Sequence, residues 1–128
     1  MGFILDASAV LAVVLGEKGA DYVLQHMSET HLGTVNLSEA TAKLMEYGVS
    51  AKNARNQISR LDAEIHDFDP DLAERTAILR SLTKNFGLSL GDRACLSLGQ
   101  SLNLPILTSD RRMRASGAML GFDIRLIR

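Results

Sequence analysis

Asp6, Glu39, Asp92 and Asp110 stand out among the 15 acidic residues because of what surrounds them. Asp6 ends the apolar run Phe3-Ile4-Leu5, and Asp110 closes a second run, Pro105-Ile106-Leu107-Thr108-Ser109. Glu39 and Asp92 each stand three residues after a helix-starting residue, Asn36 and Ser89. Four acids brought to one place would repel one another and raise several pKa values, unless a divalent cation compensated. Oxygen-only donors without sulfur or imidazole suit Mg²⁺ or Mn²⁺, which keep several waters and take a few carboxylates. The chemistry open to such a group is that of a hard-metal site, so what matters next is where the chain puts each acid.

Phe3 to Asp6 is too short for a helix and unbroken in its apolar character, which predicts a strand buried on both faces. Asp6 would then stand at a strand's carboxyl end, the edge where open parallel α/β sheets bind ligands. Helices are expected over Ala9–Leu15, ended near Gly16, and over Glu17–Ser28. A second strand is expected over His31–Val35, with Asn36 capping the next helix. Leu37, Ala40 and Leu44 repeat at helical spacing toward Tyr47, Gly48 stops them, and another helix runs from Ser50 to about Leu61. Glu64 to Phe68 alternates polar and apolar residues like an edge strand, and Asp69-Pro70 supplies an N-cap followed by proline, opening a helix over Leu72–Phe86. Leu90, Ala94, Leu98 and Leu102 recur every four residues in a helix that begins at Ser89 and ends at Asn103 and Pro105. Strands follow at Pro105–Thr108 and Phe122–Ile127. This alternation predicts a three-layer α/β/α sandwich in one domain, residues 1–128, with a central parallel sheet of about five strands and helices on both faces.

Each acid also has a structural reading. Asn36-Leu37-Ser38-Glu39 and Ser89-Leu90-Gly91-Asp92 resemble capping boxes, in which an acid in the first turn complements the helix dipole. Asp6 and Asp110 cap nothing obvious unless Asp110 starts a short turn. Asp67, Asp69 and Asp71 are the densest acidic cluster, yet helix initiation and an exposed edge account for them, so density alone is a poor guide.

Composition narrows the classes. A net charge of -1 argues against a nucleic-acid binder that works by bulk charge, but leaves room for the local patch of Arg111, Arg112, Arg114, Arg125 and Arg128, which faces one acid, Asp123. The single cysteine, Cys95, rules out an intrachain disulfide and a cysteine-built zinc site. It falls on a buried helix stripe with no histidine to activate it and reads as a small apolar residue. His26, His31 and His66 have no paired spacing, which speaks against a histidine-built metal site. No apolar run approaches a membrane span and no basic segment precedes the first one, so a cytoplasmic protein without membrane association is expected.

Phe3-Ile4-Leu5-Asp6-Ala7-Ser8-Ala9, Asn36-Leu37-Ser38-Glu39-Ala40, Leu88-Ser89-Leu90-Gly91-Asp92-Arg93-Ala94-Cys95-Leu96 and Leu107-Thr108-Ser109-Asp110-Arg111 resemble, in order and spacing, the acidic motifs of the PIN-domain nucleases. The small size is similar to that of the VapC-type toxins among them. The resemblance covers essentially the whole chain from about residue 3, and Leu-Gly-Asp-Arg-Ala is its most specific piece.

The resemblance implies a PIN-like sandwich with Asp6, Glu39, Asp92 and Asp110 on the four acidic positions, Ser8 and Thr108 on flanking hydroxyls, and one or two Mg²⁺ or Mn²⁺ ions. It implies an endoribonuclease that hydrolyses RNA phosphodiester bonds, the toxin of a type II toxin–antitoxin system, neutralised by a cognate antitoxin protein and often a homodimer. Water would attack in line at a phosphate near an ion held chiefly by Asp6 and Asp92, with Glu39 and Asp110 completing the shell directly or through waters. Because four carboxylates repel a phosphate, Arg93, Arg111, Arg112 and Arg114 are expected to hold the flanking backbone. A phosphoryl-receiver domain would need an aspartate nucleophile after the third strand and a lysine after the fifth; here Asp69-Pro70 is a helix cap and no lysine follows Lys84. The remaining alternative is a non-catalytic RNA- or protein-binding module on the same fold, which would bind without turnover in Mn²⁺.

Overall fold

The computed structural model describes residues 2–128. The strands are β1 (Phe3–Leu5), β2 (Thr30–Gly33), β3 (Glu64–His66), β4 (Ile106–Thr108) and β5 (Ile124–Leu126). The helices are α1 (Ala7–Leu15), α2 (Ala20–Leu24), α3 (Thr34–Glu46), α4 (Ala51–Ser59), α5 (Pro70–Leu82), α6 (Leu90–Leu102) and α7 (Arg111–Leu120). Every strand pairing is parallel, and the order is β3-β2-β1-β4-β5.

Alternation along the strands sorts the apolar side chains between two faces. Phe3, Leu5, Leu32 and Leu107 pack with Val10 of α1, Ala40 and Leu44 of α3 and Ile58 of α4. Ile4, Ile106 and Ile124 point the other way, onto Leu72 and Leu79 of α5, Leu96 and Leu98 of α6 and Met113 of α7. The expected three-layer α/β/α sandwich therefore forms. Ile4, Leu5, Leu96 and Leu107 are wholly inaccessible, and burial of each such side chain contributes about 1.5–3 kcal/mol.

Right-handed crossovers explain which helix covers which face. From β1 to β2 to β3 the chain steps one way with α1 to α4 on one side. It then returns past β1 and steps the other way with α5 to α7 on the opposite side. The reversal falls between β1 and β4, the switch point of the sheet, where connections diverge and open a crevice. Asp6 follows one of these strands and Asp110 the other.

Element boundaries differ from expectation mainly at caps. α1 starts at Ala7 rather than Ala9, because Asp6 is its N-cap and accepts the Ala9 N–H. Asn36 lies inside α3 rather than before it, since Gly33 runs from β2 directly into the helix with no side-chain cap. The helix expected over Glu17–Ser28 is confined to Ala20–Leu24, entered through Gly19 at φ 101°. The helix expected to reach Phe86 stops at Leu82; the Thr83 hydroxyl turns back to the Leu79 carbonyl at 2.7 Å, and a 3-10 turn follows at Lys84–Phe86. The Asp69-Pro70 start and the Ser89/Asp92 capping box form as expected. Among the described residues no helix is long and apolar enough to cross a membrane.

Candidate active site

Asp6 is 5% exposed at the carboxyl end of β1. Its Oδ1 accepts the Ser8 hydroxyl at 2.6 Å and the Ala9 N–H at 2.9 Å, and its Oδ2 accepts the Thr108 hydroxyl. Each hydroxyl in turn accepts a backbone N–H from the loop after β4: Ser109 N–H on Ser8 at 2.9 Å and Asp110 N–H on Thr108 at 3.0 Å. Ser8 and Thr108 thus tie the two switch-point loops to one carboxylate. Burial pushes the Asp6 pKa up to about 6, against the lowering pull of Ser8, Thr108 and the Ala9 N–H, and the charge of Asp92 adds to the rise.

Glu39 projects from α3 toward α6. The amide of buried Asn36 donates to Glu39 Oε1 at 2.8 Å and to the Gly91 carbonyl at 3.1 Å, pinning the two helices together. Partial burial raises the Glu39 pKa; the Asn36 hydrogen bond opposes this and the charge of Asp92 reinforces it. Asp92 accepts the Ser89 N–H at 3.0 Å in the capping box. Asp110 caps α7, accepting Arg112 N–H at 2.9 Å and Met113 N–H at 3.3 Å. Capping and site-forming readings are therefore compatible: Asp6 and Asp110 are the N-caps of α1 and α7 and Asp92 stands in the first turn of α6, where the helix dipole favours negative charge.

These side chains line one open cavity of about 360 Å³, formed by Asp6, Ala7, Ser8, Asn36, Glu39, Asp92, Ser109 and Asp110. None of these lining residues is basic. The carboxylates are splayed: among the described residues, the one three-donor group with all ligand atoms within 4.8 Å of one another lies elsewhere. Such spacing fits a hard cation that retains waters between itself and some of its acids, and does not fit a small dehydrated cage.

The expected basic residues are distributed differently. Arg93 follows Asp92 by one residue, about 100° around the helix, and is 8% exposed, with Nη1 donating to the Thr76 carbonyl at 3.1 Å. It borders a separate cavity of about 240 Å³ with Arg80, Thr83, Lys84, Gly87 and Leu88. Arg111, Arg112 and Arg114 are exposed at the start of α7, and the Arg112 guanidinium lies 3.8 Å from Asp110. Asn36 and Gly91 as supports of Glu39, and Arg80 and Lys84 as basic neighbours, emerge only from the packing of α3 on α6 and from the turn after α5. The histidines have no paired spacing along the chain, yet His31 and His66 meet across β2 and β3 at 2.8 Å. Cys95 is fully buried, and burial together with the charges of Asp6, Asp92 and Glu39 pushes its thiol well above the ordinary range, consistent with a packing role.

The PIN domain family model matches residues 3–118, a span that contains all four acids. The chain belongs to the PIN domain family. As a PIN domain it is similar to a chain of a toxin–antitoxin complex from Klebsiella pneumoniae, with 17% identity, coverage of 98% of this chain and 97% of that one, and a TM-score of 0.74. It is similar to DNA-bound VapBC from Salmonella typhimurium, with 16% identity, 100% and 99% coverage and a TM-score of 0.73. The sarcin-ricin loop cleaving toxin VapC20 of Mycobacterium tuberculosis matches at 12% identity, 90% and 95% coverage and a TM-score of 0.73. At these identities the likeness is one of fold. No curated protein matches the sequence.

Proposed function

We propose that this PIN domain is a divalent-metal-dependent endoribonuclease that hydrolyses RNA phosphodiester bonds, acting in the cytoplasm as the toxin of a toxin–antitoxin pair. The observation that carries this reading is the convergence of Asp6, Glu39, Asp92 and Asp110, from four elements, on one cavity at the switch point of the sheet. The donors are all oxygen, and the most buried of them has a pKa of about 6 through its own desolvation, which fits a site made for Mg²⁺ or Mn²⁺. Asp6 and Asp92 would hold such an ion, with Glu39 and Asp110 completing its surroundings, and the chemistry it would supply is Lewis acidity and water activation for phosphodiester hydrolysis.

The chain's own side chains do the positioning. Ser8 and Thr108 fix the rotamer of Asp6, Asn36 fixes Glu39, and the Ser89 backbone N–H fixes the Asp92 carboxylate. Arg112 stands at the rim beside Asp110. Arg80 and Lys84, with exposed Arg111 and Arg114, supply positive charge for the flanking RNA backbone, a sequence-independent role. No protein nucleophile is required. The toxin assignment draws on the solved complexes named above, whose fold this chain shares; an antitoxin and a second copy of the chain are its proposed partners.

The deciding experiment is cleavage of total cellular RNA by purified protein in Mn²⁺, beside the Asp92→Asn variant and an EDTA control. Cleavage by the wild type alone, abolished by EDTA, supports the reading. RNA binding without turnover, or turnover that survives EDTA, overturns it.

A further inference from the structure

The register of β2 with β3 sets His31 opposite Glu64 and Gly33 opposite His66, at the edge of the sheet and apart from the four-acid cavity. Nδ1 of His31 lies 2.8 Å from Nε2 of His66 and 3.3 Å from Oε2 of Glu64, and His66 Nε2 is 4.0 Å from the same oxygen. These atoms form the three-donor group, the one among the described residues, whose ligand atoms all lie within 4.8 Å of one another. The side chains of His31, His66 and Glu64 are 10%, 22% and 68% exposed, so the fold holds the two imidazoles and the carboxylate swings in from solvent.

We propose that His31, Glu64 and His66 form a second metal site, for a zinc-like divalent transition ion, that clamps the edge strand β3 to β2. Two imidazoles and one carboxylate are borderline donors that favour Zn²⁺ and its neighbours over Mg²⁺. The three separations straddle about 3.3 Å, the edge of a tetrahedron with bonds of roughly 2.05 Å, so side-chain adjustments of less than about 1 Å in these distances bring the donors to coordination spacing. Without an ion, the two rings can approach to 2.8 Å only if one N–H donates to the other's bare nitrogen, so two protonated imidazoles do not fit this geometry.

His31 Nε2 is buried beside Gly2 and has no hydrogen-bond partner among the described residues. Nδ1 is therefore the donor that faces the triangle. The ring lacks the outer acceptor that usually orients a zinc-bound histidine, which makes this a weaker site than a four-ligand structural cage. The strand it would clamp spans three residues, and both Glu64 and Ile65 are exposed, so backbone pairing and burial alone hold it lightly.

The test is titration of the full chain with Co²⁺ in excess Mg²⁺, read by the visible bands of tetrahedral cobalt, with Zn²⁺ as competitor and melting temperature as a second readout. Wild type and Asp6→Asn are expected to bind one equivalent that Zn²⁺ displaces, with a rise in melting temperature. His66→Gln should lose the bands and weaken binding more than about tenfold, since disturbing even an outer-shell partner costs that much. Glu64→Gln, an exposed change that leaves packing intact, should weaken binding as well. Equal binding by wild type and both ligand variants, loss of binding in Asp6→Asn, or no tetrahedral spectrum in the wild type would overturn the proposal.

Discussion

The Glu39 carboxylate occupies the space that a side chain on Gly91 would fill: a Cβ at Gly91 would overlap the carboxylate carbon and both its oxygens. Because the obstructed group is the free end of a flexible side chain, Gly91→Ala should displace Glu39 without disturbing the backbone. Alanine is better than glycine inside a helix by up to about 1 kcal/mol. The expected outcome is a melting temperature unchanged or slightly raised, beside a loss of Mn²⁺ affinity of about 10- to 100-fold, as for loss of an orienting neighbour. Calorimetric metal titration and thermal melting of the same sample separate the two effects.

Asp6 carries the clearest pH dependence. Its carboxyl gives up its proton near pH 6 when folded, against 3.8 for the unperturbed group. Between those values the folded state holds more protons than the unfolded chain, so metal-free stability falls as pH rises from about 4 through 6, by about 3 kcal/mol. Asn at this position keeps an acceptor for Ser8 and Ala9 and removes the buried charge. Asp6→Asn should therefore be more stable than wild type at pH 7.5 in EDTA and nearly equal to it at pH 4. Added Mg²⁺ should stabilise wild type and leave the variant unmoved, while the variant loses cleavage; urea unfolding at both pH values reads the effect.

Thr108 bonds both a carboxylate and a backbone N–H, donating to Asp6 and accepting from Asp110. Thr108→Val preserves shape but strands the Asp110 N–H and removes one of the bonds that hold the Asp6 pKa down. A loss of about 1–3 kcal/mol is expected, and the decline of metal-free stability, which still begins near pH 4, should extend to higher pH than in wild type. Thr108→Ser should restore both. Chemical unfolding across a pH series distinguishes loss of the hydroxyl from a packing defect, which serine would share.

Much of this was legible in the residues, and the failures have definite causes. The apolar runs ending in Asp6 and Asp110 identified two buried parallel strands, because a strand covered on both faces leaves no polar alternation. The Asp69-Pro70 start and the Ser89/Asp92 box were readable because capping is local chemistry. Asn36 has the residue type of a cap, but β2 enters α3 with no turn between them, and the residue instead faces inward to hold Glu39 and Gly91. The approach of His31 to His66 depends on strand register across 35 residues, which no local spacing encodes.

Arg93 and Lys84 border the same cavity but should behave differently. The guanidinium of Arg93 is buried and donates to the Thr76 carbonyl, linking α6 to α5, so Arg93→Ala removes a buried charge-assisted hydrogen bond between the helices and should cost about 1.5–3 kcal/mol. Lys84 is exposed at the turn after α5. Lys84→Ala should leave the melting temperature unchanged and weaken binding to single-stranded RNA, reducing the slope of log affinity against log salt by about 0.7 for each phosphate that the lysine neutralises. Salt-dependent binding to a catalytically inactive Asp92→Asn background makes the measurement without cleavage. An unchanged slope for Lys84→Ala would remove this groove from the RNA path and leave the Arg111, Arg112 and Arg114 end of α7 as the place to look.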